Sequence, residues 1–125
     1  YCCQIFSPLI FRNKGGSIIN FSTIAVPLGL KGESLYAASK AGVEGFSRSF
    51  ARETADFNVR VNCISPGPIE TDLIKGVSSY LIDRIIAQQV IPKQFVPSDV
   101  CDLVEILLDE KSASLSGQVL HLGGA

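Results

Sequence analysis

The chain contains no methionine and only one histidine, His121, and its cysteines are the scattered Cys2, Cys3, Cys63 and Cys101. No metal-ligand spacing can be drawn from that set, so a structural zinc site is not expected, and neither is a secreted disulfide framework. No apolar run approaches the roughly 18 residues that a membrane-spanning helix needs. No basic segment leads into an apolar stretch at the N-terminus, as it would in a signal peptide. Lysine and arginine do not cluster, and 11 basic residues against 12 acidic ones leave a formal charge of −1. Neither nucleic acid nor an anionic membrane is expected as a partner, and a small, weakly charged ligand fits better. The reading is of a cytoplasmic protein. The missing methionine, with the bulky Tyr1 at the start, leads to the expectation of a piece of a longer product.

What is present is globular in kind. With 46% hydrophobic and 18% charged residues over 125 positions, the chain can form one domain around one core. Ile5, Leu9 and Ile10 in the stretch Tyr1 to Arg12 fit the end of a helix, and Asn13-Lys14-Gly15-Gly16 is a turn. Ser17 to Phe21 is a short apolar, β-branched run of the kind found in a strand buried on both faces of a parallel sheet. A loop with Pro27, Gly29 and Gly32 follows. A long helix is then predicted from about Ser34 to Asp56, with Val43, Phe46 and Phe50 at helical spacing and Glu44/Arg48 as an i,i+4 pair. Its other face is small: Ala37, Ala38, Ala41, Gly42 and Gly45. Glycine costs a helix about 1 kcal/mol relative to alanine, so close packing against that face is expected.

Val59 to Ile64 reads as the next strand, closed by Ser65-Pro66-Gly67-Pro68. Thr71 to Val90 is weakly amphipathic, with Leu81, Ile82, Ile85 and Ile86 on one side. Pro97 and Asp99 start a helix whose Val100, Leu103, Val104, Leu107 and Leu108 follow the amphipathic pattern. Gly117 leads into a last strand, Gln118 to Leu122. Strands alternating with helices imply an α/β fold with an open parallel sheet. In such sheets ligands bind beyond the carboxyl ends of the strands, so the loops after Phe21 and Ile64 should face one site.

Two features stand at that end. Tyr36 and Lys40 lie four apart on the long helix, so an ammonium can sit near a phenol, and a neighbouring cation favours the phenolate. A tyrosine so placed can give or take a proton at a carbonyl or hydroxyl oxygen. The pair alone is weak, since roughly one chain in five of this length would carry it by chance. Ser22 and Thr23 directly follow the strand that ends at Phe21, where a hydroxyl can bond a substrate oxygen or simply satisfy turn backbone.

Taken together, Gly16-Ser17-Ile18-Ile19-Asn20-Phe21-Ser22-Thr23, Tyr36-Ala37-Ala38-Ser39-Lys40-Ala41-Gly42, Val59-Arg60-Val61-Asn62, Pro66-Gly67-Pro68-Ile69-Glu70-Thr71-Asp72 and Ser116-Gly117-Gln118-Val119 resemble, in order and spacing, the short-chain dehydrogenase/reductase family. The closest flavour is that of the 3-oxoacyl-carrier-protein reductases. The resemblance implies the C-terminal half of a Rossmann-type doubly wound parallel sheet, with residues 1–125 lacking the glycine-rich half. It implies an NAD- or NADP-dependent oxidoreductase acting on a small-molecule carbonyl or secondary alcohol. Tyr36 would be the general acid/base and Lys40 the holder of the nicotinamide ribose. Pro66 and Gly67 would wall the nicotinamide, with the Ile69 backbone and the Thr71 hydroxyl meeting its carboxamide, although Thr71 can also merely cap a helix.

Thr23, thirteen residues before Tyr36, stands where the family has a serine, and Ser22 is one position away. Threonine keeps the hydroxyl with a stiffer χ1, so Thr23 is preferred and Ser22 remains the alternative. The ending Leu122-Gly123-Gly124 departs from the family's acidic-Gly-Gly. Leu73, Ile74, Val77, Tyr80, Leu81 and Ile85 occupy the substrate-lid position and fit either an apolar pocket or helix packing. No G-x-G-x-x-G occurs. The family's assembly implies a homo-oligomer, a tetramer or dimer, formed through the first helix and the Tyr36 helix. A noncatalytic binding or scaffold relative with the same fold is the alternative function. A sugar-nucleotide epimerase is disfavoured, because only 85 residues follow Lys40.

Overall fold

The computed structural model describes residues 1–125. Its elements are α1 (Cys2–Arg12), β1 (Gly16–Phe21), α2 (Ala25–Leu28), α3 (Ser34–Glu53), β2 (Val59–Ser65), α4 (Ser79–Ile86), α5 (Pro97–Leu108) and β3 (Val119–His121). β1 pairs with β2 in parallel, from Gly16 against Val59 to Phe21 against Ile64. β2 pairs in parallel with β3, from Cys63 against Val119 to Ser65 against His121. Parallel neighbours require crossover connections, and here helices make them. The result is the α/β, Rossmann-type arrangement expected, with sheet order β1-β2-β3.

β2 is the centre of the sheet, with Val59, Val61, Cys63 and Ile64 buried. On one face, Val59, Val61 and Ala51 form the core, joined by Ile18, by Ile10 and Phe11 of α1, and by Phe50 of α3. Because strand side chains alternate, Arg60 points to the opposite face. There its Nη2 donates to the Leu107 carbonyl at 2.7 Å, and Ser17 Oγ donates to the same oxygen at 3.3 Å, tying α5 to the sheet. β1 was expected to be buried on both faces. It is an edge strand, half-buried, with Phe21 exposed, because only β2 adjoins it.

α3 forms as predicted but ends at Glu53 rather than Asp56. Thr54 Oγ1 lies within hydrogen-bond distance of the Phe50 and Val59 carbonyls, a 3-10 turn covers Ala55–Phe57, and Asn58 takes the left-handed conformation (φ 56°) that turns the chain into β2. The buried face also differs from expectation. Glu44, Ser47 and Ala51 face the sheet, while Phe46 is 47% exposed and stacks on Phe50. Partners make this polar face tenable: Asn20 Nδ2 donates to Ser47 Oγ at 2.9 Å, and Ser22 Oγ donates to Glu44 at 2.6 Å. The close packing expected on the small face is not supplied by this chain, since a Cβ at Gly42 or Gly45 would meet nothing within 4 Å.

The stretch from Thr71 to Val90 is not one helix. A 3-10 turn, Asp72–Ile74, precedes α4, and the extended backbone of Ser78 (ψ 132°) separates them. Ile82, Ile85 and Ile86 turn inward as expected, but Leu81 is exposed. The loop expected before α3 contains the single turn α2, closed by Gly29 in the left-handed conformation. β3 is shorter than predicted, because the Gln118 N–H is taken by the Asn62 side chain. α5 starts as read: Pro97 is its first residue and the Val96 N–H reaches Asp99 Oδ2 at 2.7 Å. Leu107 is fully buried, with Val100, Leu103 and Val104 partly so, whereas Leu108, about 100° further round the helix, is exposed.

Replacing Leu107 by Ala should cost about 2–5 kcal/mol in urea unfolding, through lost burial and the cavity left behind. A change below half a kilocalorie would contradict its place in the core. Cys63 gives a second test. Burial, and after it the Glu44 carboxylate, push this thiol above its ordinary 9.0. The folded protein therefore keeps a proton that the unfolded chain releases, so the Cys63 contribution to stability is complete below pH 9.0 and falls as pH rises past it. Cys63→Ala should flatten that alkaline decline. In the native protein the exposed Cys2 and Cys101 should react with a thiol reagent, while Cys63 reacts only on unfolding.

Candidate active site

The register of β1 and β2 continues past the strands. Ser22 N–H donates to the Ile64 carbonyl at 2.7 Å and Ile24 N–H to the Pro66 carbonyl at 3.0 Å. These two bonds stitch the loop after β1 to the loop after β2. Thr23, Tyr36, Pro66, Gly67, Ile69 and Thr71 consequently line one cavity of about 420 Å³. Six nominated residues and the alternative Ser22 come from three separate segments, and the fold brings them to one cavity.

The two hydroxyls after β1 are not equivalent. Ser22 touches the cavity wall but is only 4% exposed, and its Oγ is turned inward to Glu44. Thr23 is half-buried and accepts a weak 3.3 Å bond from the Ala25 N–H, which leaves its own hydroxyl proton uncommitted. Tyr36, 43% exposed, stands in the first turn of α3 beside it. Lys40 lies one turn further along, outside the cavity lining, where its Nζ donates to the Phe21 carbonyl at 3.0 Å. The ammonium thus ties α3 to the end of β1.

On the opposite wall, Pro66 to Thr71 is a fixed loop. An isolated parallel bridge joins Ile69 to Phe95, and the Glu70 N–H donates to the Phe95 carbonyl at 3.1 Å. Buried Gln89 packs directly on Gly67, where any Cβ would collide with its amide. A side chain at this position would displace that amide, whose Nε2 donates to the Ile91 and Lys93 carbonyls. Thr71 precedes the 3-10 turn without capping it; its hydroxyl reaches only to the Ile69 carbonyl, at 3.4 Å, and is otherwise exposed.

Leu73, Ile74, Val77 and Ile85 of the lid position line the cavity, whereas Tyr80 and Leu81 do not. Ile82 lines it too, and its helical spacing from Ile85 was the available signal. Glu33 is the one carboxylate in the lining. Glu44, Gln89 and Phe95 support the site from behind and were not identified by sequence reasoning as site residues. Nothing in their spacing distinguishes them, since each matters through a contact distant in sequence. Chemically the cavity offers a phenol and two weakly engaged hydroxyls, with Glu33, on a mostly apolar surface, a setting for proton donation to a substrate oxygen.

No helix is long and apolar enough to cross a membrane. A family model described as enoyl-(acyl carrier protein) reductase matches residues 1–124. The 3-oxoacyl-[acyl-carrier-protein] reductase of Chlamydia muridarum is 35% identical over 123 residues, covering 98% of this chain and 49% of that protein. The structure of a short-chain type dehydrogenase/reductase from Mycobacterium ulcerans superposes with a TM-score of 0.90 at 29% identity, covering 98% of this chain and 46% of that one. A 7α-hydroxysteroid dehydrogenase complexed with NADH and 7-oxo glycochenodeoxycholic acid superposes with a TM-score of 0.89 at 30% identity, covering 98% and 49%. The chain spans about half the length of the curated relatives it matches. With its parallel sheet, its Tyr36/Lys40 helix and these likenesses, the chain belongs to the short-chain dehydrogenase/reductase family.

Proposed function

We propose that this chain is the C-terminal half of a Rossmann-type domain in an NAD- or NADP-dependent oxidoreductase that interconverts a carbonyl and a secondary alcohol, with Tyr36 as general acid/base. The observation that carries the reading is the convergence of Thr23, Tyr36 and the Pro66 to Thr71 loop on one cavity. Membership of an oxidoreductase family and a solved relative complexed with NADH point the same way.

The donor set fits the nicotinamide end of such a cofactor. Pro66, Pro68 and Ile69 offer an apolar wall for a flat ring, the Thr71 hydroxyl is free for a carboxamide, and Lys40 is near enough to the strand end to hold a ribose. When bound, such a cofactor supplies two-electron hydride chemistry. The protein's part is to bind, orient and protonate. Thr23 Oγ1 and the Tyr36 phenol donate to the substrate oxygen, and Tyr36 passes its proton to that oxygen as it becomes a hydroxyl. Without a G-x-G-x-x-G, the pyrophosphate site belongs to the other half of the domain, and residues 1–125 alone are expected to be inactive.

Assembly as a homo-dimer or tetramer accords with the bare outer surface of α3, where Phe46 is exposed and Gly42 and Gly45 face open space, and with exposed Ile5, Phe6 and Leu9 on α1. The competing idea of a noncatalytic scaffold is disfavoured by the cavity, because the Thr23 and Thr71 hydroxyls that face it make only long local bonds, of 3.3 and 3.4 Å.

In the full-length protein, with carbonyl substrates and NADH or NADPH followed at the nicotinamide absorbance, Tyr36→Phe should lower turnover by ~10²–10⁴-fold while cofactor binding persists. Thr23→Val should lower it as well. Near-normal rates in Tyr36→Phe would sink the assignment.

A further inference from the structure

We propose that Ser22 and Glu44 form a buried positioning pair that locks the end of β1 to α3 and so aims Thr23, not Ser22, at the substrate oxygen beside Tyr36. This rests on the reading of Tyr36 and Thr23 given above, and goes beyond it by assigning work to two residues that need not touch substrate.

Glu44 continues the row of Tyr36 and Lys40, one turn beyond the lysine on the same face of α3. It is 6% exposed, and a carboxylate is seldom buried unless it is paired or hydrogen-bonded. Arg48 approaches at 3.9 Å with a largely exposed side chain, so the close partner is Ser22, whose Oγ donates at 2.6 Å. That length is typical of a charge-assisted O–H···O⁻ bond. Burial first, and then the charge of this carboxylate, push up the Cys63 thiol on β2.

Ser22 is held at two points. Its N–H is committed to the Ile64 carbonyl on β2 and its single hydroxyl proton to Glu44 on α3. A serine so engaged has no proton to offer a substrate. The next residue, Thr23, is turned to the cavity, and Ile24 is tied down again at Pro66. Thr23 belongs to the loop after β1 and Tyr36 to α3, so the separation of their hydroxyls depends on how these two elements are joined. Ser22–Glu44 and Lys40–Phe21 are the side-chain ties between them at this end of the sheet. Small misplacement of reacting groups is enough to reduce rates strongly.

The test is made in the full-length enzyme. Ser22→Ala combined with Glu44→Met removes both partners without leaving a buried carboxylate unpaired, so the melting temperature should stay close to the parent's. Cofactor KM should stay within about threefold and kcat should fall ~10–100-fold. Glu44→Gln keeps an oxygen for the Ser22 hydroxyl and should retain kcat within about threefold. Should the Met combination fail to fold, Ser22→Ala with Glu44→Gln carries the same expectation. A folded double variant with parental kcat overturns the pair, as does a Glu44→Gln enzyme that loses as much as the double variant. Tyr36→Phe is assayed in parallel. An active Tyr36→Phe enzyme overturns the underlying site assignment, whereas an inactive one beside a fully active double variant overturns the positioning pair alone.

Discussion

The parallel pairing of β1 with β2, carried two hydrogen bonds beyond the last strand residues, is the constraint on which the site depends. Parallel strands end on the same side of a sheet, so the loops leaving them are neighbours by construction. Here the bonds from Ser22 to Ile64 and from Ile24 to Pro66 turn neighbourhood into a fixed distance. A one-residue slip would exchange the faces of every β1 side chain. Ile18 would leave the apolar core with Val59 and Val61, and Asn20 would lose Ser47. The same pattern that buries the core therefore determines where Thr23 stands.

α3 meets that constraint in an unusual way. Its inward row runs from Tyr36 through Lys40 and Glu44 to Ser47 and Ala51, apolar only at its far end. The half near Ala51 is held by burial of apolar surface with Val59 and Val61, Asn20 bonds Ser47 between the two, and the half near Tyr36 is held by directional bonds to Phe21 and Ser22. Apolar contacts are non-directional and tolerate sliding, whereas short polar contacts fix an orientation. A helix anchored by burial at one end and by hydrogen bonds at the other suits a site whose reacting group is in its first turn.

What could be read from the sequence divides along the same line. β1, β2, α5 and the existence of α3 were legible because period and β-branching carry them locally. That Tyr36, Thr23 and the Pro66–Gly67 loop share one cavity was legible through the order and spacing of motifs, whereas Lys40 lies outside its lining. The burial of Glu44 and the exposure of Phe46 were not, since hydrophobic periodicity favours the phenylalanine face, and only the partners Ser22 and Asn20 on another element reverse that preference. The break between Asp72–Ile74 and α4 was hidden for a related reason: apolar residues keep a helical rhythm there while Gly76 and Ser78 interrupt the backbone. Gln89 behind Gly67 had no local signal at all.

The exposed surfaces follow from this economy of anchoring. Because α3 turns its polar row to the sheet, its aromatic and glycine-bearing side is left outward, with Phe46 stacked on Phe50 rather than buried. β1 likewise pairs on one side only, which leaves the opposite backbone edge open. A small α/β unit with one central strand has too little apolar surface to cover both faces of three strands and both sides of every helix. A further strand beside β1 and a partner surface over α3 would relieve these two deficits separately. Closure of the β1 edge bears on the loop after Phe21, and hence on Thr23. Cover over α3 bears on the helix that carries Tyr36. The precision of the candidate site is thus tied to surfaces that lie well away from its cavity.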